Sequence, residues 1–122
     1  MSAVKPLFCV VSDDAPLRSF VRSVLCSIGF DVQSFDAGSG FLLSGLARRC
    51  DGLIIETQMR DMTGLELRQA LREAGVLVAV IHLERVHSAE AHPQEACVTL
   101  TIPAQEGALL KAVRSALAGA KA

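Results

Sequence analysis

Short apolar runs and segments of helical period take turns along the whole chain, and this alternation limits the fold more than any other feature. "LFCVV" (residues 7–11) lies between Pro6 and the polar "SDD", and "GLIIE" (52–56) follows a charged turn. Continuous runs of this length suit strands buried on both faces. Between them Leu17, Phe20, Val21, Val24, Leu25 and Ile28 recur at offsets 0, 3, 4, 7, 8 and 11, with Pro16 near the first turn and Gly29 as the stop. That spacing predicts an amphipathic helix. "FDVQSF" (30–35) alternates with period two, as an outer strand with one wetter face does, and residues 41–49 form a short helix. "GLELRQALREA" (64–74) repeats the helical pattern up to Gly75, "VLVAVIHL" (76–83) is a fourth strand, and "CVTLTI" (97–102) a fifth that Pro103 ends. "EGALLKAVRSALAG" (106–119) closes the chain as an amphipathic helix.

Strand and helix alternating five times imply an α/β, doubly wound, five-stranded parallel sheet covered on both faces through right-handed crossovers. With 122 residues, 51% of them hydrophobic, the chain is expected to be one soluble domain spanning 1–122. Its 12 basic and 13 acidic residues are dispersed and nearly cancel, to a net charge of −1. No basic stripe is available for nucleic acid and no lysine-rich face for a membrane surface, so the expected partners are proteins. The N-terminal apolar run is too short for a signal peptide or a membrane span, which points to the cytoplasm. Cys9, Cys26, Cys50 and Cys97 occur singly within apolar stretches, without CxxC or zinc-ligand spacing, and read as reduced core residues.

In a doubly wound sheet, ligands bind beyond the carboxyl ends of the strands, beside the point where strand order reverses. The residues there are Ser12, Asp13 and Asp14 after the first strand and Glu56 at the end of the third. Glu84 follows the fourth strand, and Ile102 with Pro103 ends the fifth. Carboxylates converge on one edge, and Arg60 or Arg85 is expected to offset them by bridging two of them. Asp14, ahead of Pro16, reads as a helix N-cap. His82 reads as a packed strand residue, and His87 and His92 lie in a loop with no matching ligand set.

The order βα five times over, the acidic pair in the first loop, Met59, Met62, Thr63, Gly64, Leu65 and Glu66 after the third strand, and a proline after the fifth together resemble the receiver domain of bacterial two-component response regulators. The resemblance covers nearly the whole chain and implies a flavodoxin-like (βα)5 fold and a signalling rather than enzymatic role. In that family an aspartate ending the third strand accepts a phosphoryl group from a histidine kinase. Two acidic residues after the first strand help to hold Mg²⁺, a Ser or Thr after the fourth strand follows the phosphoryl group, and a lysine before the proline pairs with it.

Carried onto this chain, the phosphoacceptor position falls on Glu56 and the acidic pair on Ser12 and Asp13, with Asp14 next. The Ser/Thr switch position falls on Glu84, the aromatic switch position on Thr99 and the lysine position on Ile102. Glutamate imitates negative charge nearer the site of an aspartyl phosphate's oxygens but is poorly placed as an in-line nucleophile, and Glu84 repels an incoming phosphoryl group. Asp13 and Glu56 with one backbone carbonyl offer Mg²⁺ few ligands, so binding is expected to be weak or absent and no other cofactor is implied. Residues 85–96, "RVHSAEAHPQEA", fill the place of the family's fourth helix with few apolar residues at helical spacing and with Pro93, so that helix is expected to be shortened. The expectation is a pseudo-receiver acting by protein contact, with a histidine kinase or downstream regulator as partner. The alternative is a working atypical receiver that is phosphorylated at Asp13, Asp14 or Asp61, or weakly at Glu56. The closing helix stripe through Leu109, Leu110, Val113 and Leu117 is expected to pack on the sheet. Leu110, to the side of the row, could instead join Thr99 and Thr101 in a homodimer patch.

Overall fold

The structure, a computed structural model, describes residues 5–85, 98–102 and 105–121. Five parallel strands, β1 (Leu7–Val11), β2 (Asp31–Phe35), β3 (Gly52–Glu56), β4 (Ala79–Arg85) and β5 (Val98–Ile102), form one sheet in the order β2-β1-β3-β4-β5. The helices among the described residues are α1 (Ala15–Ser27), α2 (Gly38–Ser44), α3 (Gly64–Glu73) and α4 (Glu106–Lys121), with a 3-10 turn at Leu46–Arg48. This is the expected doubly wound α/β sheet.

The continuous apolar strands have the explanation proposed for them. Along β1, Phe8 and Val10 enter a core with residues of α1 and α4, while Cys9 and Val11 enter a second core with Phe41 of α2 and Leu67 and Leu71 of α3. In β3, Ile54 joins the first core and Leu53 and Ile55 the second. Each buried aliphatic or Phe side chain contributes about 1.5–3 kcal/mol. Strand β2, at the sheet edge, buries only Val32 fully and shows the expected wet face.

Helix α1 begins where Asp14 Oδ1 accepts the Leu17 N–H at 3.2 Å, so Asp14 is the N-cap. Helix α3 begins with a capping box, in which Thr63 Oγ1 accepts the Glu66 N–H at 3.0 Å and Glu66 Oε1 accepts the Thr63 N–H at 2.8 Å. It ends before Gly75, whose φ of 76° is left-handed.

Several boundaries differ from the sequence reading. Ile28, assigned to the α1 stripe, is the C-cap and is exposed, because the helix stops at Ser27. Helix α2 starts at Gly38 rather than Phe41. The fourth strand starts at Ala79 rather than Val76: Val76 N–H bonds to Leu71 O at 2.9 Å to finish α3, and Leu77 is 93% exposed. β4 then runs on through Glu84 and Arg85, paired with Thr101 and Ile102, so Arg85 is a strand residue and not the first residue of the segment in the place of the fourth helix. Cys26, read as core, is exposed on α1, and Cys50 is half-buried. Leu109 and Val113 of α4 lie in the core, and Leu110 and Leu117 pack against it, so the whole stripe faces the sheet. The expected shortened helix at residues 85–96, with His87, His92 and Pro93, lies outside the described residues beyond Arg85. Among the described residues no helix is long and apolar enough to cross a membrane.

Candidate functional site

The chain leaves β1 toward β2 on one side and returns to β3 on the other, so strand order reverses between β1 and β3. Register pairs Val11 with Ile55, which sets the next residues, Ser12 and Glu56, side by side at the carboxyl edge of that switch point. There the Ser12 hydroxyl donates to Glu56 Oε1 at 2.6 Å. Both residues are buried, with relative exposures of 0% and 2%.

Ser12 is held by its neighbours on every side. Its N–H donates to Phe35 O at 3.0 Å, extending the β1–β2 ladder by one step. Its Oγ accepts the Asp14 N–H at 3.0 Å, which leaves the hydroxyl proton for Glu56. Its carbonyl accepts from Arg18 Nη1, on the second turn of α1, at 2.6 Å. A serine in this place therefore works as a donor to the glutamate, the opposite of an acidic residue that would repel it.

Asp13, Asp14 and Asp61 each have partners of their own. Asp13 Oδ2 accepts the Arg60 N–H at 3.0 Å and lies 3.8 Å from Arg60 Nε, in a pair whose arginine side chain is 88% exposed. Such a screened pair contributes little. Of the two arginines expected to bridge carboxylates, Arg60 thus sits on Asp13 from the solvent side, and the Arg85 side chain lies outside the described residues. Asp14 caps α1. Asp61 accepts the Gly38 N–H at 3.2 Å and the Ser39 N–H at 2.9 Å, supplying α2 with the cap that Ala37 cannot provide. The Ser39 N–H is the largest influence on the Asp61 carboxyl, desolvation opposes it next, and the Gly38 N–H adds to the lowering, so the carboxyl is held below its ordinary value.

The remaining positions close the edge. Gly64 N–H donates to Thr57 O at 2.8 Å, and a Cβ on Gly64 would stand 3.0 Å from Glu56 O, closer than ordinary contact, so glycine lets α3 start this close to β3 without a shift of the backbone. Thr57 is buried beside Glu56, and its hydroxyl has no hydrogen-bond partner among the described residues. Glu84 is half-buried at the end of β4, and His82, two residues before it, is buried in the strand. Ile102, at the lysine position, is buried in the core shared with α4. The side chain of Thr99, which pairs with His82 in the ladder, is not described.

A receiver's Mg²⁺ requires several oxygen ligands near octahedral geometry. Here Glu56 accepts a hydrogen bond from the Ser12 hydroxyl and Asp13 is engaged by Arg60. Among the described residues no three His, Cys, Asp or Glu side chains group as a metal site. This donor set does not fit the ion.

The family model described as "Response regulator receiver domain" matches residues 8–114. The chain belongs to the response regulator receiver family. Among curated proteins the receiver is similar to the transcriptional regulatory protein TdiR of Thauera aromatica, 32% identical over 113 residues that cover 89% of this chain and 50% of that protein. It is also similar to the response regulator protein TodT of Pseudomonas putida, 30% identical over 96% of this chain and 53% of that protein. The receiver thus spans about half the length of the curated relatives it matches. Among solved structures it resembles the response regulator StyR, with a TM-score of 0.85, 29% identity, and coverage of 94% of this chain and 60% of that chain. It shares the fold of the chemotaxis response regulator CheY4 of Vibrio cholerae, with a TM-score of 0.82, 23% identity, and coverage of 93% and 100%. It is therefore a receiver domain of two-component signalling, a family that transmits signals.

The residues missed by sequence reasoning are Arg18, Thr57 and the capping role of Asp61. Arg18 sits one turn beyond the Asp14 cap, on the polar side of α1, and its bond to Ser12 O left no mark in the hydrophobic pattern. Asp61 was considered as a spare phosphoacceptor. Only the tertiary placement of α2 shows what it holds.

Proposed function

We propose that this receiver acts by protein contact independently of phosphorylation, with Glu56 as a fixed carboxylate in place of the acceptor aspartate. The buried Ser12–Glu56 hydrogen bond carries this reading. An acyl phosphate forms when an exposed carboxylate oxygen attacks phosphorus in line while cations neutralise the developing charge. Glu56 is 2% exposed, its Oε1 is taken by Ser12, the lysine position is an apolar core residue, and the donor set does not suit Mg²⁺. The other carboxylates considered are engaged: Asp14 and Asp61 cap helices, and Asp13 holds the Arg60 backbone. Its partners on this reading are a histidine kinase or a downstream regulator of the same pathway, with self-association through the α4 side as a further mode, and it works in the cytoplasm. The test is a backbone amide NMR spectrum before and after addition of a small acyl phosphate with Mg²⁺. The reading predicts unchanged resonances at residues 12–14, 56–60 and 98–102, and shifts confined to them would contradict it.

A further inference from the structure

Strand β2 lies at one edge of the sheet, and among the described residues its outer side is unpaired. Asp31 N–H donates to Pro6 O at 2.9 Å and Phe35 O accepts the Ser12 N–H at 3.0 Å, so residues 31, 33 and 35 turn their backbone groups toward β1. The alternation leaves the N–H and C=O of Val32 and Ser34 directed away from the sheet. Natural sheets blunt such an edge with proline, lysine, a bulge or a covering segment. "DVQSF" holds neither proline nor lysine, and its five residues pair with β1 in unbroken register.

A hollow of about 600 Å³ follows the amino half of this edge. Arg22 and Cys26 of α1 form one bank, on the side of the sheet where Val32 is buried, and Leu46 and Arg49 form the other, on the side of the second core. Lys5 lines the same hollow ahead of β1. The side chains of Lys5, Arg22 and Arg49 are exposed and have no hydrogen bond or ion pair among the described residues. Of the two carboxylates there, Asp51 is taken by the Leu7 N–H at 2.8 Å, which leaves Asp31 against three cations. An open strand edge between two arginine-bearing banks suits a segment that brings backbone groups and negative charge together.

We propose that this groove docks an extended acidic segment of a partner protein, which adds to the sheet as a further strand beside β2. The backbone of the segment bonds to Val32 and Ser34. Because successive side chains of a strand face opposite ways, two neighbouring carboxylates meet Arg22 on one bank and Arg49 on the other. The groove supplies a surface for the protein contact proposed above, yet it lies at the amino end of the strands, opposite Ser12 and Glu56, and needs nothing of the phosphorylation reading.

The experiment titrates the purified full chain, without phosphodonor, with end-blocked peptides of threonine and valine that carry two adjacent glutamates or, as the control, two adjacent lysines. Backbone amide NMR locates the complex and fluorescence anisotropy of the labelled peptide gives its affinity. The glutamate peptide should shift the amides of residues 31–35, bind about tenfold more tightly than the lysine peptide, and lose about tenfold in Arg22→Glu/Arg49→Glu. N-methylation of alternate peptide residues, which blocks one strand edge, should abolish binding. Ser34→Pro, which removes an outward N–H and leaves the β1 ladder intact, should weaken it. No shift at residues 31–35, equal affinity for the two peptides, indifference to the arginine substitutions or full affinity for the methylated peptide would each overturn the proposal. Concentration-dependent shifts of the same amides in the chain alone would also overturn it, by placing a second copy on the edge. Labelling of the chain by an acyl phosphate contradicts only the phosphorylation reading and leaves these expected results unchanged.

Discussion

Replacing Ser12 with alanine isolates the contact on which the site depends. The substitution removes the donor to Glu56 Oε1 at 2.6 Å and the acceptor of the Asp14 N–H at 3.0 Å, both within or beside a buried pair. A net hydrogen bond to a charged group contributes about 1.5–3 kcal/mol and a neutral one about 1 kcal/mol, so Ser12→Ala should destabilise the domain by about 2.5–4 kcal/mol. In a domain of this size that lowers the thermal midpoint by about 10 °C. Urea unfolding of wild type, Ser12→Ala, Glu56→Gln and the double variant forms a cycle that separates the pair from its surroundings. Glutamine keeps an oxygen to accept from the serine hydroxyl but no charge, so Ser12→Ala should cost about 2 kcal/mol in that background, leaving a coupling of about 0.5–2 kcal/mol. A Ser12→Ala variant within about 0.5 kcal/mol of wild type, or a coupling near zero, would refute the reasoning.

Other substitutions follow from single observations. Asp61→Ala should cost about 1 kcal/mol by uncapping α2. Because the Asp61 carboxyl sits below its ordinary value in the fold, the wild-type advantage should be complete above about pH 4 and vanish as pH falls through the depressed value, which urea midpoints at several pH values would show. Gly64→Ala should destabilise by about 1–3 kcal/mol because its Cβ meets the immobile Glu56 carbonyl. Gly40→Ala, on α2 with nothing within 4 Å, should stabilise by about 0.5–1 kcal/mol, and equal effects at the two glycines would contradict the packing argument. Thr57→Val keeps the shape and removes a buried hydroxyl without a described partner, so its thermal midpoint should rise, with a gain of about 1 kcal/mol, and a fall would mean that the hydroxyl has a partner.

The fold was legible because the period of apolar residues changes at nearly every element, and two caps, Asp14 and Thr63, are local in sequence. What the pattern could not supply was anything set by neighbours across the sheet. The start of β4 was misplaced by three residues because Val76, Leu77 and Val78 look like strand residues, while the register with Gly52 begins at Ala79. Ile28 fitted the helical stripe, yet the helix had already ended. Within the site, listing strand ends brought Ser12, Asp13, Glu56, Glu84 and Ile102 to one edge, but sequence spacing treated Ser12 as a lost acid. Its role as the hydroxyl donor to Glu56 depends on the Val11–Ile55 register, which only the sheet reveals. Cys9 and Cys50 were read alike as reduced core residues, and only the packing shows that Cys9 is buried while Cys50 stays half-buried against the same cluster.

The phosphorylation-independent reading is tested most directly by intact mass of the wild-type chain during prolonged incubation with a small acyl phosphate and Mg²⁺, beside a Glu56→Asp/Glu84→Thr/Ile102→Lys variant. The variant restores the acceptor, removes the repelling carboxylate and supplies the pairing cation, at some cost in core stability because Ile102 is buried. The account predicts no added phosphoryl mass on the wild type, none on Glu56→Asp alone, and a labelled fraction on the triple variant. A phosphoryl adduct on the wild type, mapped to Glu56 or to Asp13, Asp14 or Asp61, would contradict it.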